Sequence, residues 1–169
     1  MQIIKYCMLF FVFVFSNLIG RFIAKQYTYR LSELEEIKST LNIFKSKIKF
    51  TYEPIPEIFK EISDNSSENI SKLFLEAKKL MSNQTAETAW ETSVENMQCC
   101  LKQEDKQALL TLSKMLGTTD TEGQISQIEI TETFIDKQIK EALEEKNKNE
   151  KLYKKLGATI GLVIVIILI

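Results

Sequence analysis

A helix-patterned run without proline extends from Gly123 to Ile169, and within it the sequence passes from densely charged to wholly uncharged at Leu156. Such an element either leaves water for an apolar medium or is covered on every side, which removes most soluble folds at once. The block Leu156–Ile169 carries glycine at 157 and 161, a residue more frequent in membrane helices than in soluble ones. Its length is the awkward quantity, since about 14 residues rise ~21 Å against a hydrocarbon core of ~30 Å. Snorkelling by Lys154 and Lys155, local thinning or helix partners can close that gap. A buried core helix of the same sequence would need an apolar neighbour on all sides.

The other end has a matching property. Ile3–Ala24 is predominantly apolar, interrupted by Lys5, Ser16, Asn17 and Arg21, and its length of about 20 residues suits a bilayer. A cleaved signal peptide would have a shorter apolar run and a small-x-small site after it. Ser16-Asn17-Leu18 and Gly20-Arg21-Phe22 serve that purpose poorly, so an uncleaved anchor is expected. Arg21, Lys25 and Arg30 follow the first segment, and Lys148, Lys151, Lys154 and Lys155 precede the second, against a lone Lys5 outside. The positive-inside rule then puts the middle of the chain in the cytoplasm and both ends across the membrane, with Tyr27, Tyr29 and Tyr153 at the interfacial belt. The expected division is an anchor over 1–24, a cytoplasmic helical bundle over 25–155 ending in a long stalk helix, and a short transmembrane segment over 156–169.

Every Asp and Glu lies between Glu33 and Glu150, and the middle portion holds 20 basic residues against 23 acidic ones, a formal charge of −3. That is no basic footprint for nucleic acid. About 130 residues bury roughly two thirds of their unfolded surface, so a core needs no metal or disulfide staple. Cys7 and the adjacent pair Cys99 and Cys100 form an odd, unpatterned set that reads as reduced thiols, without the spaced ligands of a metal site.

Apolar residues recur at helical spacing through the middle. Leu31, Leu34, Ile37, Leu41, Phe44 and Ile48 form a first stripe that continues from the anchor and ends before Pro54 and Pro56. Ile55, Ile58, Phe59 and Ile62 form a second, and Ser66 or Ser67 can cap a third made of Ile70, Leu73, Phe74, Ala77, Leu80 and Met81. Thr85 is placed to cap a fourth with Ala86, Ala89, Trp90, Val94 and Met97. Leu109, Leu112 and Leu116 mark a fifth, closed by Gly117 in a left-handed turn. Asp120 or Thr121 can cap the last helix, predicted to bury Ile125, Ile128, Ile135, Ile139 and Leu143. After Leu143 the stripe gives way to acid-first pairs four residues apart, such as Glu144 with Lys148 and Glu150 with Lys154, which hold a solvated stalk. The fold class is therefore all-α, an antiparallel bundle of about six helices between two hydrophobic membrane segments.

The chain has no histidine, the commonest general base and metal ligand. Its five glycines are scattered and form no phosphate loop. Carboxylate pairs such as Glu35-Glu36 and Glu144-Glu145 fall on faces read as solvated. No catalytic residue, metal or cofactor is expected. Trp90, on the fourth stripe, is assigned to the core, while Asp120, Gly123 and Gln124 in the polar loop before the last helix serve equally well as a cap or as a partner-docking surface.

Four strings in order carry a family resemblance: Thr51-Tyr52-Glu53-Pro54-Ile55-Pro56-Glu57, Thr88-Ala89-Trp90-Glu91, Leu116-Gly117-Thr118-Thr119-Asp120 with Gly123-Gln124, and Glu150-Lys151-Leu152-Tyr153-Lys154-Lys155-Leu156-Gly157. With the layout of anchor, helical domain and short tail, the chain resembles the stage III sporulation protein AB family of endospore-forming bacteria. The resemblance implies a cytoplasmic domain similar to the inner-membrane platform protein of type II secretion and type IV pilus machines. It further implies a non-enzymatic scaffold in the complex joining mother cell to forespore, in the mother-cell or outer forespore membrane. That complex supports late forespore gene expression, and its ATPase, stage III sporulation protein AA, would be a partner. In that frame Trp90 has a core role, and Asp120, Gly123 and Gln124 carry the family's loop before the last helix and are the candidate partner contact; the charged flanks themselves make Arg21, Lys25, Arg30, Lys151, Lys154 and Lys155 the expected membrane boundary. A membrane-anchored helical signalling or assembly protein outside sporulation is the alternative the residues leave open.

Overall fold

The computed structural model describes residues 2–51, 53–117 and 120–168, with side chains described for all of these except Gln2, Ile3 and Lys5. Tyr52, Thr118 and Thr119 of the quoted strings, and the Lys5 side chain invoked for orientation, lie outside the described residues. Among the described residues the regular structure is helical: α1 (Gln2–Phe50), α2 (Ile55–Asp64), α3 (Glu68–Leu80), α4 (Ala86–Asn96), α5 (Gln103–Leu110), a 3₁₀ turn (Ser113–Met115) and α6 (Thr121–Leu168). The chain divides into two compact units, one of residues 32–140 and one formed by residues 1–31 with 141–169.

The unit of residues 32–140 is an all-α bundle. From α1 it buries Leu34, Ile37, Leu41, Phe44 and Ile48, the face predicted from their spacing. Pro54 stands at the N-cap of α2 with Pro56 in its first turn, where a missing N–H costs nothing. The rings of Phe44, Phe59, Phe74 and Trp90 meet at the centre with centroids 5.1–5.4 Å apart. Each of the four is at most 2% exposed, so one aromatic side chain from each of α1, α2, α3 and α4 closes the core. Thr85 Oγ1 accepts the Thr88 amide at 3.2 Å and caps α4. Gly117 has φ +73°, a left-handed turn that a side chain would strain.

Three local expectations are corrected. The Ser67 hydroxyl makes no cap to α3; it and the Ser67 amide both donate to the Glu36 carboxylate, at 2.6 and 2.5 Å. A carboxylate on α1 thus meets the positive end of the α3 dipole and fixes the two helices together. The fifth helix ends at Leu110, so that Leu112 and Leu116 are buried from an irregular segment and the 3₁₀ turn between them. On α6 the buried face is Ile128, Thr131, Ile135, Gln138 and Ala142, whereas Leu143 is 45% exposed and Ile125 and Ile139 are half-buried. The buried set follows alternating spacings of three and four. Thr131 can take a core position because its hydroxyl donates to Gln127 O at 2.9 Å and lies 3.2 Å from Thr111 Oγ1.

Candidate functional site

Three places were singled out by sequence: the membrane-facing ends, the loop before α6, and Trp90. The first is built in the unit of residues 1–31 and 141–169. Among the described residues α1 is the one helix long and apolar enough, near its N-terminus, to cross a membrane. Against it lies the C-terminal part of α6, antiparallel and at very short range. A Cβ added to Gly20 would sit 2.6 Å from the Tyr153 carbonyl oxygen and 2.9 Å from Gly157 Cα; one on Gly157 would sit 2.9 Å from Ser16 O and 3.0 Å from Gly20 Cα. Only glycine permits backbone on backbone there. Ser16 Oγ donates to Gly157 O at 2.7 Å, and Asn17 Nδ2 to Phe13 O at 3.0 Å. Both uncharged polar side chains interrupting the apolar segment therefore have backbone acceptors, as a lipid environment would require. The outer surface is apolar: Phe10, Phe11, Phe15, Leu18, Ile19 and Phe22 on α1, with Ile160, Leu162, Val163, Ile166 and Ile167 on α6, are all exposed.

The boundary residues split into two groups. Arg30 is buried and its Nη1 meets Glu145 Oε2 at 2.8 Å. Beside it the rings of Tyr27 and Tyr153 stack at 5.8 Å, and Lys154 pairs with Glu150 at 2.6 Å. Arg21, Lys25, Lys151 and Lys155 are exposed. The segment after Leu143 is thus not a single solvated helix: Glu145 and Tyr153 face α1. The signal that reveals this partner is in the sequence, small residues four apart at Ser16, Gly20 and Ala24 on one segment and at Gly157 and Gly161 on the other.

In the loop before α6, Asp120 is exposed and its Oδ1 accepts the Gly123 amide at 3.0 Å, while Gln124 N donates to Asp120 O at 3.1 Å. Asp120 is the N-cap of α6, and Gly123 and Gln124, like Thr121, are half-buried in its first turn. Trp90 is fully buried and donates its indole N–H to Leu109 O at 2.9 Å, so its polar edge as well as its ring is committed to the interior.

The carboxylates with the most polar neighbours also serve structure. Glu33 is buried; it accepts Asn69 Nδ2 at 2.6 Å and the Cys100 amide at 2.9 Å, tying α1 to α3 and to the loop after α4. Asp105 accepts the Lys102 amide at 2.8 Å at the start of α5. Among the described residues no three of the His, Cys, Asp and Glu side chains cluster as a metal site would need. Burial pushes the Cys99 and Cys100 thiols above the ordinary cysteine range. Since the thiolate is the nucleophile, both are expected to alkylate with iodoacetamide more slowly at pH 8 than a free cysteine, accelerating as pH rises. Peptide-resolved mass spectrometry checks this, and a rate equal to that of free cysteine contradicts it.

Residues 5–169 match the family model of stage III sporulation protein AB. Stage III sporulation protein AB of Bacillus subtilis (strain 168) is 25% identical over 162 residues, covering 94% of this chain and 95% of that protein. A solved structure of a stage III sporulation protein AB superposes with a TM-score of 0.66 at 20% identity, covering 70% of this chain and 96% of that one, a likeness of fold. The family match includes the glycine-packed helix pair, the aromatic-centred bundle and the capped loop between them in sequence, and the chain belongs to the stage III sporulation protein AB family.

Proposed function

We propose that the chain is a non-enzymatic platform subunit of the secretion-like complex that joins mother cell and forespore. In this reading both apolar segments lie in the mother-cell or outer forespore membrane, residues 25–155 face the cytosol, and the ATPase, stage III sporulation protein AA, docks on the helical domain. Late forespore gene expression depends on that assembly. The observation that carries the proposal is the family match running from residue 5 to residue 169, through anchor, bundle and tail. The chemistry of the described carboxylates supports it, because Glu33, Glu36, Asp105, Asp120 and Glu145 are each engaged in a bond that shapes the fold. The α6 end alone is shorter than a bilayer, and its pairing with α1 supplies the helix partner that a short segment needs.

Co-isolation of the ATPase with the full-length chain from sporulating cells tests the reading, and failure of the wild-type chain to retain it removes the platform role. Asp120, Gly123 and Gln124 are the proposed contact. Asp120→Asn keeps an equally good cap and removes the charge, whereas Asp120→Ala costs about 1 kcal/mol of helix start. A docking role predicts loss of the ATPase with both variants. Retention by Asp120→Asn confines Asp120 to capping.

A further inference from the structure

An open groove of about 550 Å³ on the outer face of α1 is lined by Phe15, Leu18, Ile19, Arg21, Phe22 and Lys25. Spacings of three and four put the four apolar residues on one side of the helix, reaching away from the cationic end. Arg21 and Lys25 stand four residues apart, ~6 Å along the axis, a separation one phosphodiester can bridge with charge-assisted hydrogen bonds to both.

The state of these two cations sets them apart from Arg30 and Lys154. Arg30 and Lys154 are satisfied by Glu145 and Glu150. Arg21 and Lys25 are exposed, and among the described residues neither makes an ion pair. The chain has no acidic residue before Glu33 to supply a partner. Phe15, Leu18, Ile19 and Phe22 are each at least half exposed, so the apolar wall below the cations is bare too. Two unpaired cations over an apolar wall match a molecule with an anionic head and an aliphatic tail.

We propose that this groove binds one anionic phospholipid, its phosphate on Arg21 and Lys25 and an acyl chain along Phe15, Leu18, Ile19 and Phe22. The proposal rests on the reading of α1 as membrane-spanning. A zwitterionic lipid brings its own cation to the phosphate and gains less from the pair.

The test uses the full-length chain reconstituted in phosphatidylcholine vesicles doped with spin-labelled phosphatidylglycerol or spin-labelled phosphatidylcholine. The readout is the ratio of the two lipids in the motionally restricted, protein-bound component. A basic side chain near an anionic headgroup is worth roughly a fivefold preference. With two such side chains the wild-type chain is therefore expected to favour phosphatidylglycerol by up to about 25-fold, the Arg21→Gln/Lys25→Gln variant to lose that preference, and Arg21→Lys/Lys25→Arg to keep most of it. Lys151→Gln/Lys155→Gln controls for general surface charge and is expected to retain the preference. Equal association of both lipids with the wild-type chain, or a preference that survives Arg21→Gln/Lys25→Gln, overturns the site while leaving the span intact. A restricted component absent for both lipids overturns the membrane-spanning reading, and the site with it.

Discussion

Trp90→Ala is expected to destabilise the helical bundle by about 3–5 kcal/mol, the range for removing a fully packed aromatic side chain. Two features place it at the upper end. Trp90 touches both Phe59 and Phe74 at 5.4 Å, so the cavity is bounded by rings held from other helices, Phe59 also by Phe44, and collapse around it is limited. The substitution also removes the buried indole hydrogen bond to Leu109 O, which then keeps the Leu112 amide at 3.1 Å as its donor. Against a total stability of ~5–15 kcal/mol for a domain this is a large fraction. Amide hydrogen exchange of the full-length chain reads it directly: the slowest amides of α2, α3 and α4 are expected to lose ~100-fold or more of their protection, each 1.4 kcal/mol being a factor of ten. Trp90→Phe keeps most of the ring contacts and is expected to cost markedly less. Unchanged protection in Trp90→Ala would mean that the four-ring cluster does not hold the bundle.

The bundle was legible where one physical rule governs a position. The stripes of α1 to α4 follow from helical spacing, and the breaks at Pro54, Thr85 and Gly117 follow from a fixed φ, a side-chain acceptor and a positive φ. Reading failed where a polar residue does an apolar residue's job. Thr131 and Gln138 are buried on α6, while counting only apolar side chains selects Ile139 and Leu143 and rotates the predicted face. It failed again where two distant residues satisfy each other. Glu36 and Ser67 are 31 residues apart and Arg30 and Glu145 are 115 apart, so a charge next to another charge in sequence was assigned to solvent although its partner lay on another helix.

The cations flanking the apolar segments show the same division. Charge at the flanks is a local property, and position alone puts Arg21, Lys25, Lys151 and Lys155 beside those segments. Which boundary cations are already paired is not a local property: it needs Glu145 opposite Arg30 and Glu150 one turn before Lys154. Glycine in the apolar block was noticed as composition. Its meaning depends on Ser16 and Gly20 more than a hundred residues earlier, and only the packed helix pair brings the two small-residue series into one interface.

That interface gives the second large effect. Gly157→Leu is expected to separate the C-terminal part of α6 from α1, because even the first atom of the new side chain meets backbone: Ser16 O at 2.9 Å and Gly20 Cα at 3.0 Å. Backbone cannot rotate aside, so overpacking costs about 1–3 kcal/mol. Parting the helices also breaks the Ser16 Oγ to Gly157 O bond, worth about 0.5–1.5 kcal/mol. Double electron–electron resonance on the otherwise cysteine-free full-length chain, labelled at the exposed positions Leu18 and Leu162, is expected to show one narrow distance in the parent and a longer, broader distribution in Gly157→Leu. The series is graded by what the added atom meets. Gly20→Ala is disruptive, since its Cβ would lie 2.6 Å from Tyr153 O. Gly161→Ala is expected to cost less, since its Cβ would meet no backbone atom: the Phe13 ring at 3.2 Å and the Ser16 hydroxyl at 3.3 Å can turn aside, and Ser16 Cβ at 3.0 Å needs a shift of a few tenths of an ångström. Ser16→Ala loses one hydrogen bond and keeps the parent distance. An unchanged distribution in Gly157→Leu would show that the two helices are held together by something other than glycine contact, and an equal response to Gly20→Ala and Gly161→Ala would show that the close approach is not backbone on backbone.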